Sequence, residues 1–534
     1  MYGLRCIVLF IFYGFIGLTT NAQEDKFITG KLVDSITLEP VVFATVKIKD
    51  KALGVISNAD GSFKIPVKYR NRGEYLEISS MGYTTVVISL KDFTENQIKS
   101  IKMQAAYLEL DEVIVNEKRI RRPKLSAKRI IHKSIENLTK NLPEKPYSYV
   151  GYYRDYQLNK NNNYSNLNEA ILQIYDQGNQ FLDSETSKVR VLRYGSENNF
   201  PVEAFAQIPY NYKSKRKTIS NAFLNSYGGN EYTILRIHDP IRNNKINSFD
   251  FVNVFERDFA VNHNFTKEQD VVVDGIFLYH ISFSPNYNEI SIKDKLQIKG
   301  HIYITKDNFA IQGFEYAIYD KNSIKNRVDV DGLLFKTKVE YALNNGKMFL
   351  SYHSMDNTFI ISNDPKLKIE NFTLNLERNC FTLKFNNPLE ENSAIRSSNY
   401  DIRFNGDKII LKDVILISNE VLLIPNLENK NTEEMFREII LLGEQRKINN
   451  NNLKIELKKI KDIEGNEINV SEYETRKQFR EFFVQKLQLD ANVLPNDTTL
   501  MNMRKPIFDE LQPIYKDDAS DDYWMNTPLP NIHN

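Results

Sequence analysis

The sequence predicts a mainly β, multidomain protein: a small N-terminal β-sandwich, a helix, a larger antiparallel curved sheet and C-terminal helices. Three observations predict it. Short alternating runs between Phe27 and Met103 are cut by turn residues. A 3.6-periodic stretch follows Ser126. Longer alternating runs then fill residues 147 to about 425. A chain of 534 residues exceeds one ordinary domain, and 41% hydrophobic residues are enough to build real cores.

The first element is a leader. Arg5 is the only charged residue before Glu24, Ile7 to Leu18 is almost wholly apolar, and Thr19-Thr20-Asn21-Ala22 is small and polar. That order is a secretory signal peptide over residues 1–22, cut after Ala22. An uncleaved anchor is the alternative, but the apolar run is short for a membrane core of about 30 Å. Cleavage removes Arg5 and Cys6. It leaves 69 charges of each sign and the single thiol Cys380. Such balance argues against a dedicated nucleic-acid binder. A lone thiol forms no internal disulfide or thiolate-rich metal centre. Cys380 falls in an alternating run and reads as a buried apolar residue. No later stretch approaches eighteen apolar residues, so no helical membrane span is expected.

The sandwich, residues 25–105, is built from Phe27–Asp34, Pro40–Ile48, Ser57–Ile65, Tyr75–Ser79 and Thr84–Leu90. Asp60-Gly61 marks its sharpest turn, because glycine tolerates positive φ.

The residues of this segment carry a resemblance. Gly30-x-x-x-Asp34, Thr37-x-Glu39-Pro40, Phe43-Ala44-Thr45-Val46, Asn58-x-Asp60-Gly61-x-Phe63 and Ser79-x-x-Gly82-Tyr83 resemble the carboxypeptidase-regulatory-like domain at the N-terminus of exported and outer-membrane Bacteroidetes proteins. The resemblance implies a transthyretin-like β-sandwich, with Gly30, Asp34, Pro40, Asp60, Gly61, Phe63, Gly82 and Tyr83 as its fold signature. Leu110–Val115 also resembles the segment that follows this domain in TonB-dependent receptors, but the chain beyond it is too short for a plug and a receptor barrel. Such a domain accompanies catalytic units and is not one. No histidine starts a His-x-x-Glu pattern, and His132 precedes Glu136 by one position too many for a peptidase zinc site.

Residues 106–125 read as a basic linker broken by Pro123. Its charges, continuing to Arg129, suit either a solvated face or anionic lipid phosphates. Ser126 caps the next helix. Ala127, Ile130, Ile131, Ser134, Ile135 and Leu138 share one face, which leaves His132 outside. Residues 126–425 are this helix plus the large antiparallel domain. Its start, Tyr147–Arg154, resembles an uncharacterised exported family with the same front domain. The runs at 271–283, 300–304, 309–319, 334–341 and 347–353 make a meander with short turns such as Asp331-Gly332 and Asn344-Asn345-Gly346. The meander resembles the open sheet of periplasmic lipoprotein carriers, which shelter acyl chains. Its inner face either holds a ligand or is closed by its own helices. His280, His301 and His353 lie on strands close enough to approach one another, but no carboxylate spacing accompanies them as it would in a metal site.

Residues 426–534 read as helical and irregular. Asn431-Thr432-Glu433-Glu434 predicts a capped helix from Met435. Ser471-Glu472-Tyr473-Glu474 predicts another, carrying Phe479, Phe482, Phe483, Val484 and Leu487. Trp524, the only tryptophan, anchors a docked tail.

The function expected is non-catalytic binding or assembly in the cell envelope, at the periplasm or outer membrane. Expected partners are envelope proteins, a lipid or a glycan, with no nucleic acid, cofactor or metal. A glycan or peptide hydrolase and an outer-membrane β-barrel or receptor-like component are the alternatives. No nucleophile elbow, phosphate loop or metal cluster singles out catalytic residues. Lys213-Ser214-Lys215-Arg216-Lys217 fits water better than a barrel wall.

Overall fold

The computed structural model describes residues 26–529 except 52, 81, 106–124, 160, 184–186, 196–199, 212, 214–215, 220–223, 225–229, 250–252, 274, 287–295, 322–331, 450, 490–494, 496 and 517–521. The leader, Cys6, most of the linker, Asp331 and part of 213–217 lie outside these residues. The chain divides into two units: residues 1–209, 219–359 and 476–534, and residues 210–218 with 360–475.

The first unit begins with the sandwich. Strands β1 (Phe27–Asp34), β2 (Thr45–Ile48), β3 (Gly54–Ile56), β4 (Ser62–Pro66), β5 (Tyr75–Ser79), β6 (Val86–Ser89) and β7 (Ile98–Met103) form sheets β4-β1-β7 and β3-β2-β5-β6. Their inward residues, among them Ile28, Leu32, Val46, Phe63, Leu76 and Ile78, are buried together, as period-two alternation requires.

The helix α1 (Ala127–Glu136) is capped by Ser126, whose Oγ accepts from the Arg129 N–H at 3.3 Å. It buries Ile130, Ile131 and Ser134 and leaves His132 half-buried. The large sheet follows: β8 (Tyr147–Leu158), β9 (Tyr164–Asp176), β10 (Lys188–Gly195), β11 (His263–Lys267), β12 (Ile276–Pro285), β13 (Leu296–Thr305), β14 (Ile311–Asp320), β15 (Leu333–Asn344), β16 (Lys347–Ser362) and β17 (Tyr473–Gln488). Their spatial order is β10-β9-β8-β17-β16-β15-β14-β13-β12-β11. The run at 473–488 is thus a central strand and not the helix the capping pattern predicts. Arg476, Gln478, Arg480 and Phe482 are buried at period two, and β17 pairs with β8 along its length. Those long-range partners override a helical pattern that five apolar residues alone suggested.

One face of this sheet carries helices. Phe255 and Phe259 of α3 (Phe255–Asn262) pack on Phe283 and Phe314. Tyr232 of α2 (Glu231–Ile237) meets Tyr153 and Phe482, with ring centroids 5.4 and 5.7 Å apart. These helices cover part of that face of the sheet.

The second unit has its own core. A sheet ordered Ile369–Asn375, Cys380–Phe385, Glu420–Pro425, Leu411–Ile417 and a second ordered Asp407–Lys408, Tyr400–Phe404, Leu453–Leu457 enclose Phe381, Leu383, Ile402, Val421 and Phe436. The helix Lys430–Glu444 starts earlier than the capping box suggests. Asn429 is its cap, accepting from the Thr432 N–H at 3.0 Å, while Thr432 Oγ1 accepts from the Ile410 N–H.

Candidate functional site

The signature residues hold the sandwich in shape. Asp34 accepts from the Ile36 and Thr37 N–H groups at 2.8 Å each, and these bonds hold its carboxyl below the usual range. Gly30 faces the buried Phe63 ring so closely that a Cβ would lie 2.2 Å from it. Pro40 bridges to Val33. Asp60 Oδ1 accepts from the Ser62 N–H at 2.9 Å, and Gly61 takes φ 79°. Gly82 takes φ 85°, and Tyr83 packs on the core. These residues shape the domain through contacts with one another: Gly30 lies against Phe63, Gly61 beside Pro40, and Asp34 bonds to Tyr83.

The histidines separate. His280 Nε2 and His301 Nδ1 lie 3.0 Å apart on one face of the sheet. His301 is opposite Glu315, which is opposite Lys338, then Ser354. His353 therefore points to the other face. It lies 3.3 Å from Thr337 Oγ1, and burial pushes it down to about 3. Among the described residues no three His, Cys, Asp or Glu side chains are placed to hold a metal ion.

The face opposite the helices carries the sandwich, joined to it by buried polar groups. Arg154 Nε donates to Glu481, and Nη1 donates to Asn58 of the sandwich and to the Asn526 carbonyl at 3.0 Å. Glu481 also accepts from the Tyr352 hydroxyl at 3.1 Å. The tail completes the join. Trp524 is 1% exposed within the sandwich core and donates its indole N–H to the Lys64 carbonyl at 2.9 Å. Asn526 pairs with Lys64 and Ile56. A buried ion pair with further hydrogen bonds fixes the two layers in one arrangement.

Between them lies a cleft of about 590 Å³, walled by β2 and β5 on one side and by the ends of β15, β16 and β17 on the other. That volume lies within the range of small-molecule sites, ~300–1,000 Å³. Three of its residues come from β-bulges. Gln312 is the extra residue between the pairs Tyr303–Gly313 and Ile304–Ile311. Ser351 is extra between Glu340–Tyr352 and Tyr341–Leu350. Gln485 is extra between Val484–Gly151 and Lys486–Val150. A bulge re-aims a side chain out of the alternation, and the three bulged residues line one cavity.

Two of these bulged side chains are chemically incomplete. Gln485 is fully buried, and its Nε2 donates to the Gly54 carbonyl at 2.9 Å and the Trp524 carbonyl at 3.1 Å. Both amide hydrogens face carbonyls, which fixes the amide orientation. Gln485 Oε1 accepts nothing, and neither does Gln312 Oε1. Phe43, on the opposite wall, takes φ 56°, uncommon for a bulky residue. Its N–H donates to the Ser57 carbonyl, and the Ser57 hydroxyl bonds to residues 41 and 44 on either side. Its ring stacks on Tyr352 at 6.4 Å. Strain of about 1–3 kcal/mol at such a residue persists only where its surroundings hold it.

The front sandwich now has a family. Residues 28–115 are a CarboxypepD_reg-like domain. The CarboxypepD_reg-like domain supplies Phe43, Thr45 and Glu77 to the cleft, and the large sheet supplies the bulges. Among solved structures the chain is similar to a LolA superfamily protein from Nitrosomonas europaea, with TM-score 0.19, 11% identity, and 44% of this chain and 86% of that chain covered. It is also similar to a DUF1329 family protein from Desulfovibrio piger, with TM-score 0.21, 11% identity, and 44% and 87% covered. None of the curated proteins compared with the chain matches it. No helix among the described residues is long and apolar enough to cross a membrane.

The sequence pointed to the tail anchor Trp524 and to a buried Cys380, which is 1% exposed with burial pushing its thiol up. It missed Gln312, Gln485 and Phe43. The only trace of the bulges is a break in alternation, as in Phe482-Phe483-Val484.

Proposed function

We propose that the protein is an exported, envelope-resident binding protein whose front domain and large sheet form one ligand-holding body. The leader pattern supports export, and the front domain's resemblance to exported envelope proteins supports the location. The observation that carries the binding reading is the cleft itself, where three bulges converge and two amide oxygens are left without donors. Unsatisfied buried acceptors cost about 1–3 kcal/mol each, so a fold that keeps two beside one cavity is built for an occupant that supplies donors.

The test combines fractionation with thermal shift. The protein is expected in the envelope fraction. Envelope extracts separated into glycan, lipid and peptide pools are expected to raise its melting temperature through one pool, and the Gln312→Leu variant is expected to lose that rise. A cytoplasmic location, or a rise unchanged in Gln312→Leu, contradicts the proposal.

A further inference from the structure

We infer that the occupant of the cleft is a neutral glycan, read by the two bulged glutamines and the Phe43 ring. This rests on the binding reading above and adds the ligand's chemistry.

The cleft has a hydrogen-bond deficit. Gln485 Oε1 and Gln312 Oε1 are acceptors without partners. The complementary ligand brings N–H or O–H donors. An acyl chain brings none, so the deficit selects against a lipid tail. The deficit also favours a ligand rich in donors at variable angles, which describes sugar hydroxyls.

The charges of the lining balance. The lining carries Lys47, Lys51 and Lys486 together with Asp50, Glu77 and Glu340, three of each sign. Lys47 already pairs with Glu77 at 3.4 Å, and Lys51 pairs with Glu74. Two of the three ammonium groups are thus already held by carboxylates and give a phosphate or nucleotide little, so a neutral ligand fits this wall.

The sheet topology favours a glycan over an extended peptide. Peptide strands are held by adding to a free sheet edge. Most of the strands that wall this cleft are interior: β2 lies between β3 and β5, and β17 lies between β8 and β16, while Val273 at its margin comes from the edge strand Val271–Val273. Recognition here falls to side chains: Gln312, Gln485, Ser79 and Ser351 for hydroxyls, and the ring of Phe43 for the apolar face of a pyranose. The cost of the left-handed Phe43 backbone is then matched by a platform set opposite the amides.

The experiment is a panel of neutral oligosaccharides, acyl lipids and extended peptides, titrated by calorimetry against the purified full chain. Parallel titrations use Gln312→Leu, Gln485→Leu and Phe43→Gly. Glycine keeps the positive φ while deleting the ring. The expected result is binding of a neutral oligosaccharide, weakened about tenfold by each single substitution, the worth of roughly one hydrogen bond or ring contact. Gln485→Leu also loses the bonds to Gly54 and Trp524, so circular dichroism melting accompanies each titration. Gln312→Leu, which lacks those bonds, decides the matter if Gln485→Leu unfolds. Binding of a lipid or peptide that the substitutions abolish, with no glycan bound, overturns the glycan class and leaves the cleft reading standing. Glycan binding unchanged in all three variants overturns the cleft reading, and so does an absence of binding from all three classes.

Discussion

Replacing Arg154 by alanine tests how the two layers are joined. The guanidinium is 2% exposed and serves three parts of the chain: Glu481 of β17, Asn58 of the sandwich and the Asn526 carbonyl of the tail. Removing it leaves Glu481, itself 5% exposed, with the Tyr352 hydroxyl as its one remaining hydrogen-bond donor among the described residues. Breaking a buried pair from one side costs about 3–5 kcal/mol, because the surviving charge stays buried. That is about two to three and a half orders of magnitude in the folding equilibrium. The assay is urea unfolding followed by fluorescence of Trp524, which lies in the sandwich core and is the protein's only tryptophan. Arg154→Ala is expected to lower the midpoint strongly. Arg154→Met with Glu481→Gln is expected to recover more than half the loss, because the second change removes the stranded charge. If the double variant is as unstable as the sum of the two single ones, the two side chains act independently and the reasoning fails.

Three further outcomes follow from the same structure. Gly61→Ala is expected to destabilise the sandwich by more than about 1 kcal/mol, because φ is 79° and a Cβ would lie 2.4 Å from the Leu32 carbonyl oxygen; an unchanged melting temperature contradicts this. Burial pushes the Asp155 carboxyl from 3.8 up to about 7. The folded state therefore holds this proton more tightly than the unfolded one, and the contribution present at low pH is lost as pH rises through about 7. Relative to wild type, Asp155→Asn is expected to gain about 2–3 kcal/mol between pH 5 and 8 in urea titrations, and an equal pH slope in both proteins contradicts it. Cys380, buried and with its thiol pushed up, is expected to resist a thiol reagent in the native protein and to react once unfolded; rapid native labelling of Cys380 contradicts its burial.

The sandwich was legible because its information is local. Asp60-Gly61 must turn, Gly30 must lack a side chain beside Phe63, and alternation places Val46 and Ile78 inward. The start of α1 was legible for the same reason, since Ser126 caps it. The strand at 473–488 was not. Its buried set includes Arg476, Gln478 and Arg480, whose burial depends on partners far away in sequence: Arg480 donates to Glu231 at 2.6 Å and to Asn357 at 2.8 Å. A polar residue reads as exposed until its partner is known. Nothing in the pattern marks where residues 360–475 leave the large sheet to build their own core, because both parts alternate at period two. The cleft was hidden more thoroughly, since a bulge is a mismatch between two strands and neither strand alone records it.

The most direct measurement is a crystal structure of the protein soaked with the tightest-binding neutral oligosaccharide. The account predicts sugar density between Phe43 and the bulged glutamines, with hydroxyls within about 3 Å of Gln312 Oε1 and Gln485 Oε1. Sugar bound elsewhere on the chain, with both amide oxygens still unpaired, contradicts it.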